Sequence, residues 1–282
     1  MRLLLINPNT SADMTATILA AGRAALPAAS ADVIVDAIQP ARGPASIEGQ
    51  LDEVVSAHWA LDVVLPIADQ YDGFIVACYS HHPLTAALRE ALDQPVVGIM
   101  EASILHALPL GERFSIVTTS PRWQPLLSEG VRVLGFEQRC ASVRSSGLSV
   151  LELGSLPADV VRQRLCEEAV AAVHRDGASV ICLGCAGMAG LEAAVSAAAG
   201  VPVVDGVRAG VLLMRSLVES RARTSKKGLY SPPLGQPAVG LPAGIAPLYQ
   251  TMRPLITPVA TPAASANGER ESHASDATLL DR

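Results

Sequence analysis

Short apolar runs alternate with longer Ala-rich stretches along most of the chain. Eight of these runs are rich in β-branched residues or leucine and have the length of buried strands. We predict strands at 3–7, 33–38, 74–79, 95–99, 114–119, 140–144, 180–185 and 201–205. Helical periodicity is clearest in the segment 157–176, where one stripe contains Val161, Leu165, Ala169 and Val173. This alternation predicts an α/β protein with mainly parallel sheets flanked by helices.

The pattern changes towards the end of the chain. Eight of the 20 prolines lie from Pro232 onward, and the final stretch ASANGERESHASDATLLDR has no apolar periodicity. Such a sequence cannot offset the entropy cost of ordering it. We therefore predict a Pro-rich, disordered tail at 229–282, in which only the segment 247–258 is apolar enough to dock on the folded part.

Two parts of the chain repeat the same arrangement around a cysteine. Cys78 and Cys185 each end a predicted strand, and an apolar helical stripe begins six residues later, at Leu84 and Leu191 respectively. The tripeptide Pro-Val-Val begins 17 residues after each cysteine. The two units match as strand, cysteine, turn, helix, strand and helix, and this match predicts two pseudo-symmetric lobes.

The repeat also predicts where the active site lies. We expect 1–97 together with 207–228 to form the first α/β lobe and 98–206 to form the second. Ligands of open parallel sheets bind at the C-terminal ends of the strands, where a thiol near the start of the next helix is favoured as a thiolate. Facing lobes would bring Cys78 and Cys185 to one cleft, from which they could remove and deliver a proton on opposite faces of a carbon.

Composition narrows the range of partners and compartments. The net charge is −6 with 17% charged residues, which argues against nucleic acid and anionic membranes as partners. No apolar run approaches the roughly 20 residues of a membrane span, and Asn7 and Pro8 interrupt the apolar N-terminus before it reaches the length of a secretory signal. We expect a soluble cytoplasmic protein whose five cysteines are reduced.

Eight motifs along the chain carry a specific resemblance to a known family, because they occur in that family's order and with sensible spacing. They are INPNT at 6–10, GPASIEG at 43–49, VACYSHHPL at 76–84, IVTTSPR at 116–122, GFEQRC at 135–140, LGCAGMA at 183–189, VPVVDGV at 201–207 and TSKKG at 224–228. Together they resemble the hydantoin and allantoin racemase branch of the aspartate/glutamate racemase superfamily, from residue 1 to about 228. The resemblance implies two α/β lobes with the active site between them, no cofactor, and Cys78 and Cys185 as the paired acid and base.

The strand ends supply further candidates for substrate binding. The backbone N–H groups of Ser80, His81, Ala186 and Gly187 follow the two cysteines and are suited to stabilise an enolate oxygen. The full predicted set of substrate-binding residues is Asn7, Asn9, Thr10, Tyr79, Ser80, His81, Thr118, Thr119, Ala186 and Gly187. The alternative for the polar members of this set is ordinary turn and helix-capping chemistry.

The chain departs from its relatives in ways that bear on the substrate. Hydantoin racemases often carry an aspartate two or three residues after the first cysteine, where this chain has His81 and His82. Glutamate and aspartate racemases follow their cysteines with Asn-Thr and Thr-His, whereas this chain has Tyr-Ser and Ala-Gly, which argues against a free amino acid. Arylmalonate decarboxylases keep one cysteine, so the presence of both argues against decarboxylation.

Several alternative sites and functions stay open at this level. Metal-ligand spacing is absent around His81 and His82, so we predict no metal site, but a Cys-His hydrolase remains an alternative. Cys182 lies inside a predicted strand and is interpreted as a core residue rather than half of a redox pair. Glu48 is interpreted as a solvated loop residue near a helix start, with a role in the cleft as the alternative.

We therefore predict a cofactor-independent racemase of 5-substituted hydantoins or related cyclic ureides such as allantoin, with two cysteines as the bases. The alternatives are an amino-acid racemase, a maleate-type isomerase, a decarboxylase, or a non-catalytic module that binds a small molecule. The expected partners are a small-molecule substrate and further copies of the chain in a homo-oligomer.

Overall fold

The structure is a computed structural model that describes residues 1–27, 30, 32–232, 235 and 237–250. Each of the eight predicted strands is present. Their bounds are β1 Arg2–Ile6, β2 Ile34–Ile38, β3 Gly73–Val76, β4 Val96–Gly98, β5 Phe114–Thr118, β6 Cys140–Ser145, β7 Val180–Leu183 and β8 Val203–Asp205.

A helix follows each of these strands before the next strand begins, and further short helices are present in the described part of the chain. They are α1 Ala12–Ala24, α2 Gln50–Val64, α3 Pro83–Ala91, α4 Ile99–Ala107, α5 Trp123–Val133, α6 Glu152–Ser155, α7 Ala158–Asp176, α8 Glu192–Ala199, α9 Gly206–Glu219 and α10 Ala246–Gln250. Helix α7 confirms the clearest helical prediction, and it ends at Gly177, whose left-handed backbone (φ 76°) suits glycine. No helix in the described residues combines the length and the apolar character that a membrane span requires.

The strands form two four-stranded sheets with the same connectivity. The first has the order β2-β1-β3-β4 and the second has the order β6-β5-β7-β8, and every strand pair is parallel. Each strand of the first sheet thus has a counterpart four strands later in the chain. The fold is the predicted α/β architecture of two lobes, each with a parallel sheet flanked by helices.

Both faces of each sheet are covered, which explains why the strands are almost continuously apolar. On β1, Leu3 and Leu5 face the central core, whereas Leu4 and Ile6 face an outer cluster formed with α2 and α3. The outer face of the second sheet packs against α7 and α8. Burial on both sides fixes the orientation of each strand and hence the direction of the chain where it leaves the sheet.

Two helices cross between the sheets. Helix α4 follows the first sheet in the chain but contacts β7 and β8 of the second. Helix α9 follows the second sheet but contacts β1, β3 and β4 of the first, and the two helices also pack against each other. This exchange joins the two sheets through a shared core. The lobe boundaries predicted from the sequence stay a prediction.

The chain after α9 contacts the first lobe. The Lys226 ammonium group donates hydrogen bonds to backbone carbonyl groups at the end of α3, among them Arg89 at 2.6 Å. Further along, the Tyr230 hydroxyl group accepts from Arg89, and the Gly244 amide donates to Asp62 at 2.8 Å. Part of the predicted tail therefore contacts the folded part, while 251–282 lies outside the described residues.

Candidate active site

The two cysteines follow equivalent strands at equivalent points. The Ala77 amide donates to a carbonyl of β1 at 2.8 Å, and the Gly184 amide donates to a carbonyl of β5 at 2.8 Å. These are the last backbone hydrogen bonds from the β3 strand to β1 and from the β7 strand to β5, and Cys78 and Cys185 come directly after them. The prediction placed Cys78 and Cys185 within their strands. In the structure β3 ends at Val76 and β7 ends at Leu183, two residues before each cysteine, so each thiol lies in the turn beyond its strand.

Both cysteines line one small cavity of about 30 Å³. Its wall takes residues from both lobes. The lining residues are Asn7, Pro8, Asn9, Met14, Ile47, Ala77, Cys78, Tyr79, Thr119, Trp123, Val150, Gly184, Cys185 and Ala186. The cavity wall is mainly apolar with a few polar groups, as in most small-molecule sites.

Cys78 is partly buried among groups that disfavour its ionisation. Burial raises the pKa of the Cys78 thiol well above its ordinary value, and the nearby carboxyl group of Glu53 and the thiol of Cys185 raise it further. A hydrogen bond with Ser80 acts in the opposite direction, and the Ser80 Oγ atom lies 3.7 Å from the Cys78 Sγ atom.

Cys185 is held differently. Burial raises the pKa of its thiol to about 11, the Gly187 backbone N–H group lowers it by donating to the sulfur, and the carboxyl group of Glu48 raises it. The sequence predicted that helix starts would favour both thiolates. Here burial prevails, because α3 begins only at Pro83 and α8 only at Glu192, and a helix dipole acts mainly within the first turn.

The polar residues after β1 divide between the cavity and the turn. The Asn7 side-chain amide donates to Asn9 Oδ1 at 2.8 Å and to Thr15 Oγ1 at 2.9 Å, so it holds the turn although it lines the cavity. Among the described residues, the Asn9 Nδ2 group donates only to the sulfur of Met14, at 3.2 Å. This weak contact leaves the amide group able to bind a ligand. Thr10 lies outside the cavity lining and bonds to Pro44.

The residues after Cys78 take three different roles. Tyr79 lines the cavity, but its hydroxyl group bonds to Ser103 Oγ at 2.7 Å inside the core. Ser80 is buried beside the thiol, and the carboxyl group of Glu53 lies nearby. His81 is exposed and outside the cavity lining, because the backbone turn that leads to α3 points it to the surface.

The two threonines at the end of β5 also differ in their contacts. The Thr118 hydroxyl group donates to the Gly184 carbonyl at 3.1 Å and steadies the strand end before Cys185. Thr119 lines the cavity, and its hydroxyl group forms no hydrogen bond with the described residues. Of the predicted pair, only Thr119 is therefore placed to bind a ligand.

The turn after Cys185 is a single 3-10 turn, Ala186–Met188. Ala186 lines the cavity. Gly187 lies behind the sulfur, where an added Cβ atom would be 3.1 Å from a methyl group of Leu153 and 3.8 Å from the Cys185 Sγ atom. A side chain at position 187 would therefore crowd the thiol that its amide group contacts.

The sequence did not identify several residues of the site. Met14, Ile47, Trp123 and Val150 supply the apolar wall, and an apolar residue in a helix or loop does not by its pattern distinguish a cavity wall from the core. The most informative residue not identified is Glu53, a buried carboxylate of α2 that faces Ser80. The exposed character of carboxylates in general gives no signal for such a position.

The structure also bears on the alternative nucleophile pair. His82 is buried, its Nε2 atom is 3.2 Å from Ser56 Oγ, and its Nδ1 atom accepts from the Leu84 amide as the N-cap of α3. Both ring nitrogens therefore form hydrogen bonds with groups other than Cys78. Among the described residues, no three His, Cys, Asp or Glu side chains form a group that could hold a metal ion.

The arrangement can serve proton transfer at carbon. Two thiols from different lobes contact one small, mainly apolar cavity, and the groups around them keep most of the thiol in its protonated form at neutral pH. A thiol of raised pKa is a stronger base once ionised, which suits the removal of a proton from a weak carbon acid.

Comparisons with known proteins agree with this geometry. The family model described as Asp/Glu/Hydantoin racemase matches residues 3–214. The hydantoin racemase of Rhizobium meliloti is 39% identical over 241 residues, which cover 85% of this chain and 98% of that protein. The allantoin racemase structure from Pseudomonas fluorescens has a TM-score of 0.81 at 38% identity, and it covers 85% of this chain and 100% of its own.

A second solved structure gives the same result. The allantoin racemase from Klebsiella pneumoniae has a TM-score of 0.79 at 36% identity, with 85% of this chain and 96% of that chain covered. Sequence, sheet order and family model thus agree over the two lobes. The chain belongs to the Asp/Glu/hydantoin racemase family.

Proposed function

We propose that the protein is a cofactor-independent racemase of 5-substituted hydantoins or related cyclic ureides such as allantoin. The observation that supports this most directly is that Cys78 and Cys185, at equivalent ends of equivalent strands, line the same cavity. The relatives named as hydantoin and allantoin racemases support the substrate class.

The proposed reaction uses the two thiols as base and acid. One cysteine, as the thiolate, takes the proton from the carbon between the ring nitrogen and the carbonyl group, and the electron pair moves into the carbonyl to form a planar enolate. The other cysteine, as the thiol, gives its proton to the opposite face of the same carbon. The chirality is inverted, one thiol has gained a proton, and the other has lost one.

Polar groups of the cavity would bind the ring. The Asn9 side-chain amide and the Thr119 hydroxyl group would donate to ring carbonyl oxygens, and the support for this role is that both residues line the cavity and neither is fully engaged with the protein. The apolar wall formed by Met14, Ile47 and Trp123 would hold the ring and exclude water.

A panel of single enantiomers tests the proposal. The purified protein is incubated with several 5-substituted hydantoins, with allantoin and with free aspartate and glutamate, and the optical rotation of each solution is followed beside a sample without protein. We expect rotation to decay faster than in the sample without protein for one or more cyclic ureides and to persist for the amino acids. Decay confined to the amino acids, or no decay at all, would contradict the proposal.

A further inference from the structure

A second space adjoins the cavity that holds the two thiols. This outer groove has a volume of about 650 Å³ and lies between the start of α1 and the segment that contains α6. Met14 and Val150 line both the thiol cavity and the outer groove. Ala186 of the cavity wall is also followed directly by Gly187 of the groove wall. The two spaces are therefore neighbours, with Met14 and Val150 between them.

The thiol cavity is too small to hold a substituted ring by itself. Its volume of about 30 Å³ gives room for about two water molecules. A ring whose reacting carbon lies between Cys78 and Cys185 must therefore extend past the wall of this cavity. The outer groove is an adjoining space with enough volume to receive the rest of the ligand.

The residues between the two spaces allow a substituent to pass. Met14 has an unbranched side chain with three rotatable bonds, and its sulfur accepts one weak hydrogen bond, from Asn9 Nδ2 at 3.2 Å. Val150 is held through its backbone amide, which donates to Glu48 Oε1 at 3.0 Å. We therefore expect the Met14 thioether to adjust when a ligand spans both spaces, while Val150 keeps its place.

The segments that form the outer groove carry negative charge. Residues 11–22, 146–157 and 183–190 contain no lysine or arginine, and their acidic residues are Asp13 and Glu152. Glu152 Oε2 accepts from the amide and the hydroxyl group of Ser149, at 2.7 and 2.8 Å. Asp13 lines the groove in the first turn of α1, where it is exposed. Its carboxylate forms no hydrogen bond or ion pair within the part of the chain that the structure describes.

The start of α1 does not favour an anion in spite of its dipole. A helix N-terminus attracts anions through free backbone N–H groups. Here Ser11 Oγ already accepts from the Met14 amide at 3.2 Å, and the Asp13 carboxylate complements the dipole. A carboxylate on a ligand would meet Asp13 at close range, whereas an N–H group would find a free acceptor.

We infer that the outer groove binds the substituent on the reacting ring carbon, and that Asp13 selects substituents that end in an N–H group over those that end in a carboxylate. Alkylammonium and ureido groups belong to the favoured class. The apolar side chains of Val150 and Leu153 would contact the stem of the substituent, and Asp13 would accept from its end. The placement of the reacting carbon rests on the proposed racemase function, but binding of the substituent can be measured without turnover.

Three hydantoins with substituents of similar length test the inference. They carry an aminobutyl, a butyl or a carboxypropyl chain at the ring carbon, and calorimetric titration with each racemate gives its Kd. For the wild type we expect the aminobutyl compound to bind most tightly and the carboxypropyl compound most weakly. In Asp13→Asn the ratio of these two Kd values should shrink about tenfold, since loss of one exposed charge changes each by about threefold in opposite directions.

Matched variants separate the groove from general effects of charge and size. Asp159→Asn removes a carboxylate that is also exposed in the first turn of a helix, α7, but lies outside the groove, so the Kd ratio should stay at the wild-type value. Thr17 is exposed and lines the groove, so Thr17→Trp should weaken binding of the butyl compound more than that of 5-methylhydantoin. Ala20→Trp places the same bulk on α1 outside the groove and should not discriminate between them.

The possible results are distinct. An unchanged Kd ratio in Asp13→Asn, tightest binding of the carboxypropyl compound by the wild type, or no binding of any of the three compounds would overturn the inference. The wild-type order needs no variant and decides the question even if a variant fails to fold. If the compounds bind in the expected order while the optical rotation of every single-enantiomer hydantoin persists, the proposed function fails and the assignment of the groove stands.

Discussion

The five cysteines of the chain occupy three kinds of environment. Cys78 and Cys185 face the cavity, Cys182 is in the core with its sulfur 3.9 Å from the Ser103 carbonyl oxygen, and Cys140 and Cys166 are partly buried elsewhere. The position of Cys182 could be predicted, because it lies inside a buried strand with its neighbours. The meeting of Cys78 and Cys185 at one cavity could be predicted from their equivalent places at the ends of two strands.

The two adjacent histidines show where residue-level prediction fails. Side chains next to each other diverge, so only one could face inward, and the sequence does not say which. The structure buries His82 and exposes His81, the one predicted to bind substrate. Glu53 could not be predicted for a related reason, since a carboxylate on a helix is normally exposed.

Burial of His82 predicts an acid-sensitive stability. Burial lowers the pKa of the imidazole from 6.5 to about 3, so the unfolded chain binds one more proton than the folded chain between these values. Folding stability from this residue is therefore fully present above pH 6.5 and is lost as the pH falls towards 3, by up to about 5 kcal/mol. We expect His82→Asn to reduce this pH dependence.

Urea unfolding of the wild type and His82→Asn from pH 7 to pH 4 provides the measurement. The free energy of unfolding should fall less steeply with decreasing pH in the variant. His81→Asn is the control, because this side chain is exposed and its loss should leave the slope unchanged. Equal slopes in the wild type and both variants would contradict the buried neutral state of His82.

At the scale of elements, the strand ends determine where the thiols lie. All eight strands and the main helix could be predicted, because burial of both sheet faces leaves a simple apolar pattern. The ends of β3 and β7 could not, because the chain leaves the sheet according to its last backbone hydrogen bonds rather than its hydrophobicity. The predicted influence of the helix starts on the thiols was wrong for the same reason.

Gly184 tests the importance of one strand end. An added Cβ atom would lie 2.9 Å from the Val117 carbonyl oxygen and 2.8 Å from Ile116 Cγ2, so Gly184→Ala must push β7 away from β5. We expect a loss of about 1–3 kcal/mol in stability and of at least tenfold in kcat/KM, because Cys185 moves with the strand end.

Thermal unfolding and initial rates on the same preparations check this expectation. Gly154→Ala serves as the control, since an added Cβ atom there meets nothing within 4 Å and the residue lies in α6. That variant should match the wild type in both measurements. A fully active Gly184→Ala protein of unchanged stability would show that β5 does not fix the position of Cys185.

At the scale of the whole molecule, two contacts beside the cavity join loops of the two lobes. The Glu48 carboxylate accepts from the Val150 amide at 3.0 Å, and the Arg122 guanidinium group lies against Gly49. The repeat in the sequence predicted two facing lobes, because both halves carry the same order of elements. These contacts could not be predicted, since they join loops that differ between the halves.

Loss of the Glu48 contact should weaken substrate binding. In Glu48→Ala we expect KM to rise about tenfold with a smaller change in kcat, because one charge-assisted hydrogen bond that closes the cleft is removed. Glu48→Gln keeps an acceptor oxygen and should lie between the wild type and Glu48→Ala. Steady-state kinetics on the best substrate of the panel measure both constants, and a fall in kcat at unchanged KM would contradict a closing role.

Deuterium exchange in heavy water tests the two-thiol reaction most directly. Wild type, Cys78→Ser and Cys185→Ser are incubated with each enantiomer of the best substrate, and loss of the α-hydrogen is followed by NMR beside optical rotation. We predict that the wild type exchanges and racemises both enantiomers. Each serine variant should lose racemisation by at least about 10²-fold while any remaining exchange is confined to one enantiomer, opposite in the two variants. Full racemisation by either variant would contradict the assignment of Cys78 and Cys185 as the paired bases.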